Sequence, residues 1–192
     1  MKDKKGLRKN KVYFTLIFLF AILIIAIYYN NISNKLTGEA VSKKDLVAYW
    51  NFNDGTTTDL SGMKNHGSLR NEGAKIISYD VNKGGVLSLD GVDDYMLVKD
   101  SSSLDIKNSF TLAAWINSLN EDAGIIFSKD GFNMNTEGSY NLYKNGDFLV
   151  YEVRNREELK AEGLLTDTWQ HVAVTYDAFS EPNMKTYIDG EL

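Results

Sequence analysis

The 192-residue sequence predicts an all-β fold, an antiparallel sandwich, preceded by one N-terminal transmembrane helix. Three observations carry that prediction. From Leu46 onward, short apolar runs are separated by Gly, Asn, Asp and Ser clusters, and no helical period is sustained over three turns. Within Phe110 to Asn117 the residues alternate, so that Phe110, Leu112, Ala114 and Ile116 share one face while Thr111, Ala113, Trp115 and Asn117 share the other. Val12 to Tyr29 carries no charged residue and is long enough for a single membrane crossing, at about 27 Å of helix.

Taken in chain order, residues 1–11 form a basic cytoplasmic tail, with six Lys/Arg against Asp3. Residues 12–29 are the transmembrane signal anchor. Twelve of them are Val, Leu, Ile or Phe, and Tyr13/Phe14 and Tyr28/Tyr29 stand at the two ends, where aromatic rings favour the membrane interface. The preceding Lys/Arg run places the N-terminus in the cytoplasm and the rest of the chain outside. A cleaved secretory signal is the competing reading. The apolar run exceeds the usual range for such signals, and the nearest small-x-small site, Gly38-Glu39-Ala40, lies well beyond it. Residues 30–45 read as a polar flexible linker that would hold the folded part on the order of 20 to 24 Å from the bilayer.

Residues 46–192 form the folded domain. Its strands are expected at Leu46 to Phe52, Val86 to Asp90, Tyr95 to Val98, Phe110 to Asn117, Gly124 to Ser128, Tyr140 to Lys144, Phe148 to Arg154, Trp169 to Tyr176 and Lys185 to Ile188. Asn145-Gly146 is expected to close a two-residue type I′ hairpin, since both residue types tolerate positive φ. Asp189-Gly190 has the same chemistry, but only Glu191 and Leu192 follow it, so the complete protein is expected to continue with further strands.

Composition narrows the function. Residues 46–192 carry 12 Lys/Arg against 23 Asp/Glu, a net of −11, which repels phosphate backbones and argues against nucleic acid as a partner. The absence of cysteine removes disulfides, thiolate catalysis and Cys-based zinc sites. G-x-S-x-G, H-E-x-x-H, the P-loop pattern and G-x-G-x-x-G are all missing, so no catalytic residues are assigned. Asp90, Asp93 and Asp94 crowd three carboxylates into one turn and are the weak calcium candidates; the competing reading is a solvated turn whose Asp side chains cap local N–H groups. No other cofactor is expected. Asp54, Asp59 and Asn65 form a second, looser oxygen-rich loop. Trp50, Trp115, Trp169, Tyr95, Tyr140, Tyr143 and Tyr151 could stack on sugar rings, but filling or flanking the core is the expectation for each. His66 and His171, the two histidines, are expected to be packed and hydrogen-bonded.

The segments AYWNFND (Ala48 to Asp54), DLSGMKNHG (Asp59 to Gly67), LSLDGVDDY (Leu87 to Tyr95), Ser103 to Ile116, IIFSK (Ile125 to Lys129), WQHVAVTYD (Trp169 to Asp177) and YIDGEL (Tyr187 to Leu192) together resemble the LamG-like jelly rolls of the concanavalin A-like lectin/glucanase superfamily. The resemblance implies a jelly-roll sandwich and, for Trp115 and Trp169, a structural role. Some relatives bind calcium, but their ligands do not map onto this chain residue by residue. Related glucanases use a carboxylate triplet E-x-D-x-E along one strand, which is absent here. Phe148 to Arg154 offers only Glu152, and the adjacent Glu157 and Glu158 would point to opposite faces if extended. The function expected is a non-catalytic extracytoplasmic module that recognises carbohydrate or glycoconjugate at the cell surface. The alternatives are a protein-binding adhesion or assembly module without a sugar site, and an accessory domain of an enzyme encoded beyond Leu192.

Overall fold

The computed structural model describes residues 43–80, 84–129, 139–153 and 157–192. Eleven strands run through them: β1 Gly67–Arg70, β2 Lys75–Asp80, β3 Gly84–Ser88, β4 Tyr95–Val98, β5 Ser109–Ile116, β6 Gly124–Lys129, β7 Tyr140–Asn145, β8 Phe148–Val153, β9 Glu157–Glu162, β10 Gln170–Asp177 and β11 Met184–Ile188. Residues 1–11 and 12–29 and nearly all of 30–45, expected as tail, membrane anchor and linker, lie outside the described residues. No helix among the described residues is long and apolar enough to cross a membrane.

The strands pair antiparallel throughout, in a three-stranded sheet ordered β11-β10-β5, a four-stranded sheet ordered β6-β7-β8-β9, and two hairpin-like pairs, β1-β4 and β2-β3. The fold is therefore all-β, as expected. The core forms where the two larger sheets present alternate residues to each other. Leu142, Leu149, Tyr151 and Val153 come from one sheet, and Val172, Val174, Tyr176 and Met184 from the other. Each fully buried Leu or Val contributes roughly 1.5 to 3 kcal/mol, so sandwich packing dominates the stability. Phe110 of β5 reaches across this core, its ring centroid 5.2 Å from that of Tyr140 and 5.7 Å from that of Tyr176.

Several sequence expectations need correction. Leu46 to Phe52 is not a strand, although Leu46 to Trp50 is a continuous apolar run. Its backbone is claimed elsewhere: the Tyr49 N–H donates to Asp59 Oδ1 at 2.9 Å, and the Tyr49 carbonyl accepts from Leu60 N–H at 2.8 Å. Strands β1, β2 and β9 lie where none were expected. β9, EELKAE, carries Glu158, Lys160 and Glu162 on one face and holds its place by pairing along all six residues of β8.

The hairpin between β7 and β8 also closes differently. Asn145 pairs with Phe148, so the two-residue turn is Gly146-Asp147, with positive φ at Gly146 (64°) and not at Asn145. Glycine at the first central position is the type II′ pattern. The physical reason is that the Asp147 carbonyl accepts from Gly163 N–H at 3.0 Å and Leu164 N–H at 2.9 Å, which commits it to the exit of β9. Asp189-Gly190 does form the expected tight turn. Both residues have positive φ, 52° and 86°, and Ile188 and Glu191 exchange two backbone hydrogen bonds of 3.0 Å.

Candidate functional site

The outer face of the β11-β10-β5 sheet is built by strand alternation. In β5, Phe110, Leu112, Ala114 and Ile116 turn inward, which forces Thr111, Ala113 and Trp115 outward. In β10, Gln170, Val172, Val174 and Tyr176 are buried, so His171, Ala173 and Thr175 face out; in β11, buried Met184 and Thr186 leave Lys185 and Tyr187 outside. The register sets these residues in rows. Trp115 stands opposite His171, Ala113 opposite Ala173 and then Tyr187, and Thr111 opposite Thr175 and then Lys185.

Trp115 is 56% exposed, and its indole meets the His171 ring edge-on at a centroid distance of 5.4 Å. Of the two places expected for Trp115, filling or flanking the core, its position in the alternation rules out the first. Beside it, Ala113 and Ala173 leave a shallow floor, with Tyr187 half-buried at the far side. Asp189 follows His171 in the first row, Asp177 lies one outward-facing position beyond the third, and both carboxylates are occupied. Asp189 accepts from the His171 N–H at 2.8 Å and Gln170 Nε2 at 3.3 Å. Asp177 Oδ1 accepts from the Phe179 N–H at 3.1 Å and the Ser109 hydroxyl at 2.9 Å, and these donors hold its carboxyl below the usual range. An aromatic, nearly uncharged surface on an acidic domain can stack flat apolar faces and offer hydroxyl and imidazole partners at its margin.

The outer face of the four-stranded sheet is different in kind. Asn141, Glu152 and Glu158 share one row across β7, β8 and β9. The Tyr143 hydroxyl lies 3.1 Å from Glu152 Oε1 and 3.5 Å from Glu158 Oε2, and Lys160 Nζ pairs with Glu158 Oε1 at 2.8 Å. Burial first, and then the two carboxylates, push the Tyr143 phenol up to about 12. The sequence offered Glu152 as the one acid of its strand, and because β9 was not read as a strand the approach of Glu158 was not anticipated. Their approach is a consequence of register.

The carboxylate turn expected as a calcium candidate does assemble. Asp90, Asp93 and Asp94 bring one oxygen each within 4.8 Å of one another. Asp90 Oδ1, however, already accepts from the N–H groups of Val92 (2.9 Å), Asp93 (3.3 Å) and Asp94 (3.4 Å), and Asp94 Oδ2 accepts from the Asp90 N–H at 3.0 Å. The Val92 N–H foremost lowers the Asp90 pKa. The turn's own amides therefore satisfy part of its charge, and Asp94 Oδ1 is the buried oxygen left without a donor among the described residues.

The second oxygen-rich loop divides. Asp54 bonds only within its own turn, to the Thr56 hydroxyl at 2.8 Å and N–H at 3.0 Å. Asp59, 5% exposed, is a structural hub that binds Tyr49, Ser61 and Asn65. Asn65 extends the hub, its Nδ2 donating to the Val47 carbonyl and the Ser103 hydroxyl, both at 2.9 Å, while the Trp50 indole N–H donates to its carbonyl at 3.1 Å. His66 belongs to the same hub: its Nδ1 accepts from the Asp59 N–H at 3.1 Å, which places the ring proton on Nε2.

Of the remaining aromatics, Tyr140 and Tyr151 are core residues as expected, and Trp169 is half-buried with its ring edge-on to Tyr79 at 5.2 Å. Tyr95, on β4, is exposed and so does not fill the core. A family model described as the concanavalin A-like lectin/glucanases superfamily matches residues 90–192. No curated protein and no solved structure matches the chain.

Proposed function

Because the chain belongs to the concanavalin A-like lectin/glucanases superfamily, we propose that its folded domain is a non-catalytic binding module that recognises carbohydrate or glycoconjugate through the outer face of the β11-β10-β5 sheet. The observation that carries this reading is Trp115. A large indole, more than half exposed on a regular strand and backed by His171, is poised for an apolar ring face. A pyranose presents such a face through its C–H bonds, which an exposed indole plane can cover.

Non-catalysis is supported by the surroundings of the carboxylate pair Glu152 and Glu158. Glycosidic cleavage needs two acids flanking the scissile bond with space between them. Glu152 and Glu158 instead have the Tyr143 hydroxyl in hydrogen-bonding distance of both, and Lys160 binds one. The domain belongs, in this reading, outside the cell, held to the membrane by residues 12–29, where polymers with exposed sugar rings are abundant and nucleic acid is not a partner.

The test is a panel of immobilised glycans probed with the full chain, purified in a zwitterionic detergent, and with Trp115→Ala. Binding to at least one glycan, weakened about tenfold or more by the substitution, is the expected result, a factor that corresponds to about 1.4 kcal/mol. Silence across the panel, or retention by Trp115→Ala at parental affinity, would overturn the assignment.

A further inference from the structure

Resting on that reading, we propose that the ligand is an uncharged oligosaccharide chain, lying obliquely across β5, β10 and β11 and stacking at two points, Trp115 and Tyr187. The register places Tyr187 two strands across from the Trp115 strand and one outward-facing row along it. With strands about 4.8 Å apart and a face repeat of about 6.8 Å, the two positions are roughly 12 Å from each other. That exceeds one sugar ring with its linkage, so a trisaccharide is the shortest ligand that reaches both.

The ground between them is suited to a chain. Ala113 and Ala173 share the row of Tyr187 and project no bulk above the sheet, while His171 stands beside Trp115 in the neighbouring row. The surface is a flat sheet face rather than an enclosing pocket, so a single sugar would bury little of itself, and affinity must accumulate along the polymer. Charge decides the class. The one carboxylate in the rows, Asp189, already accepts from the His171 N–H and Gln170 Nε2, which leaves little to bind a cationic ligand, and an anionic chain would approach a domain that is strongly acidic overall.

The experiment measures binding of the full chain to neutral gluco-, manno-, galacto- and xylo-oligosaccharides of one to six units, beside their uronate-containing counterparts. Affinity should rise about tenfold or more between the disaccharide and the tetrasaccharide and then level off. Tyr187→Ala should erase that rise and leave disaccharide binding within about twofold, Tyr187→Phe should keep it, and Ala173→Leu, which fills the floor, should weaken the tetrasaccharide about tenfold without lowering the melting temperature. Equal affinity at every length, or a rise that survives Tyr187→Ala, would overturn the two-point chain while leaving carbohydrate recognition standing. Preference for uronate chains would overturn the uncharged class. Absence of binding to any oligosaccharide, together with silence on the glycan panel, removes both readings.

Discussion

Substituting Asp59 tests how the irregular N-terminal part of the domain is held. The carboxylate is 5% exposed and accepts from the N–H groups of Tyr49 (2.9 Å), Ser61 (2.8 Å) and Asn65 (2.9 Å) and from the Ser61 hydroxyl (2.8 Å). Hydrogen bonds to a charged group contribute about 1.5 to 3 kcal/mol each, and a buried donor left unpaired costs a similar amount. Asp59→Asn keeps one acceptor oxygen and turns an amide donor toward at least one backbone N–H, so a loss of about 2 to 3 kcal/mol is expected. At roughly 2 to 4 °C per kcal/mol for a domain of this size, the melting temperature of the sandwich should fall by about 5 to 10 °C at neutral pH, read by tryptophan fluorescence.

Burial raises the Asp59 pKa, but the Ser61, Tyr49 and Asn65 N–H groups and the Ser61 hydroxyl outweigh it, and the net is a carboxyl below its ordinary value. A depressed pKa means that the contribution is present above the unfolded value of about 3.9 and is lost as pH falls through the folded one. The gap between parent and Asp59→Asn should therefore close as the solution is acidified below about pH 4. A melting difference of less than about 1 °C at neutral pH, or a gap that widens with acid, would refute the hub.

Three further outcomes follow from the packing. The Tyr151 hydroxyl is buried in the core with no hydrogen-bond partner among the described residues, and burial pushes its pKa upward; Tyr151→Phe should leave stability unchanged or raise it by about 1 kcal/mol, and a loss of more than that in urea unfolding would reveal a partner. Gly146, at φ 64° and with open space where a side chain would point, should tolerate Gly146→Val sterically but lose about 1 to 2 kcal/mol to backbone strain, measured by thermal melting and refuted by an unchanged transition. Because the Asp90 turn is closed by its own amides, EGTA should move the melting temperature by less than about 1 °C, whereas a drop of several degrees would show that calcium completes the site.

The alternation of Phe110 to Ile116 and of Gln170 to Tyr176, and the Asp189-Gly190 turn, were legible in the sequence because each depends on neighbours a few residues apart: period-two burial selects a face, and positive φ selects a turn. Trp115 was placed on the outward face by that same alternation, yet its exposure was not anticipated. β9 was hidden because its charges obscure the alternation of Leu159 and Ala161, and Leu46 to Phe52 misled because an apolar run says nothing about where backbone N–H groups go. Asp59 and Asn65 had captured that segment.

From the sequence alone came the β class, the inward faces and the absence of familiar catalytic motifs. Tertiary structure alone decided that His171 stands against Trp115, that Tyr187 lies two strands away across a floor of alanines, and that Glu152 and Glu158 converge on Tyr143. The physical reason is register: pairing between strands distant in the chain is settled by competition among whole ladders and the core they enclose, and a shift of one residue would turn every outward side chain inward.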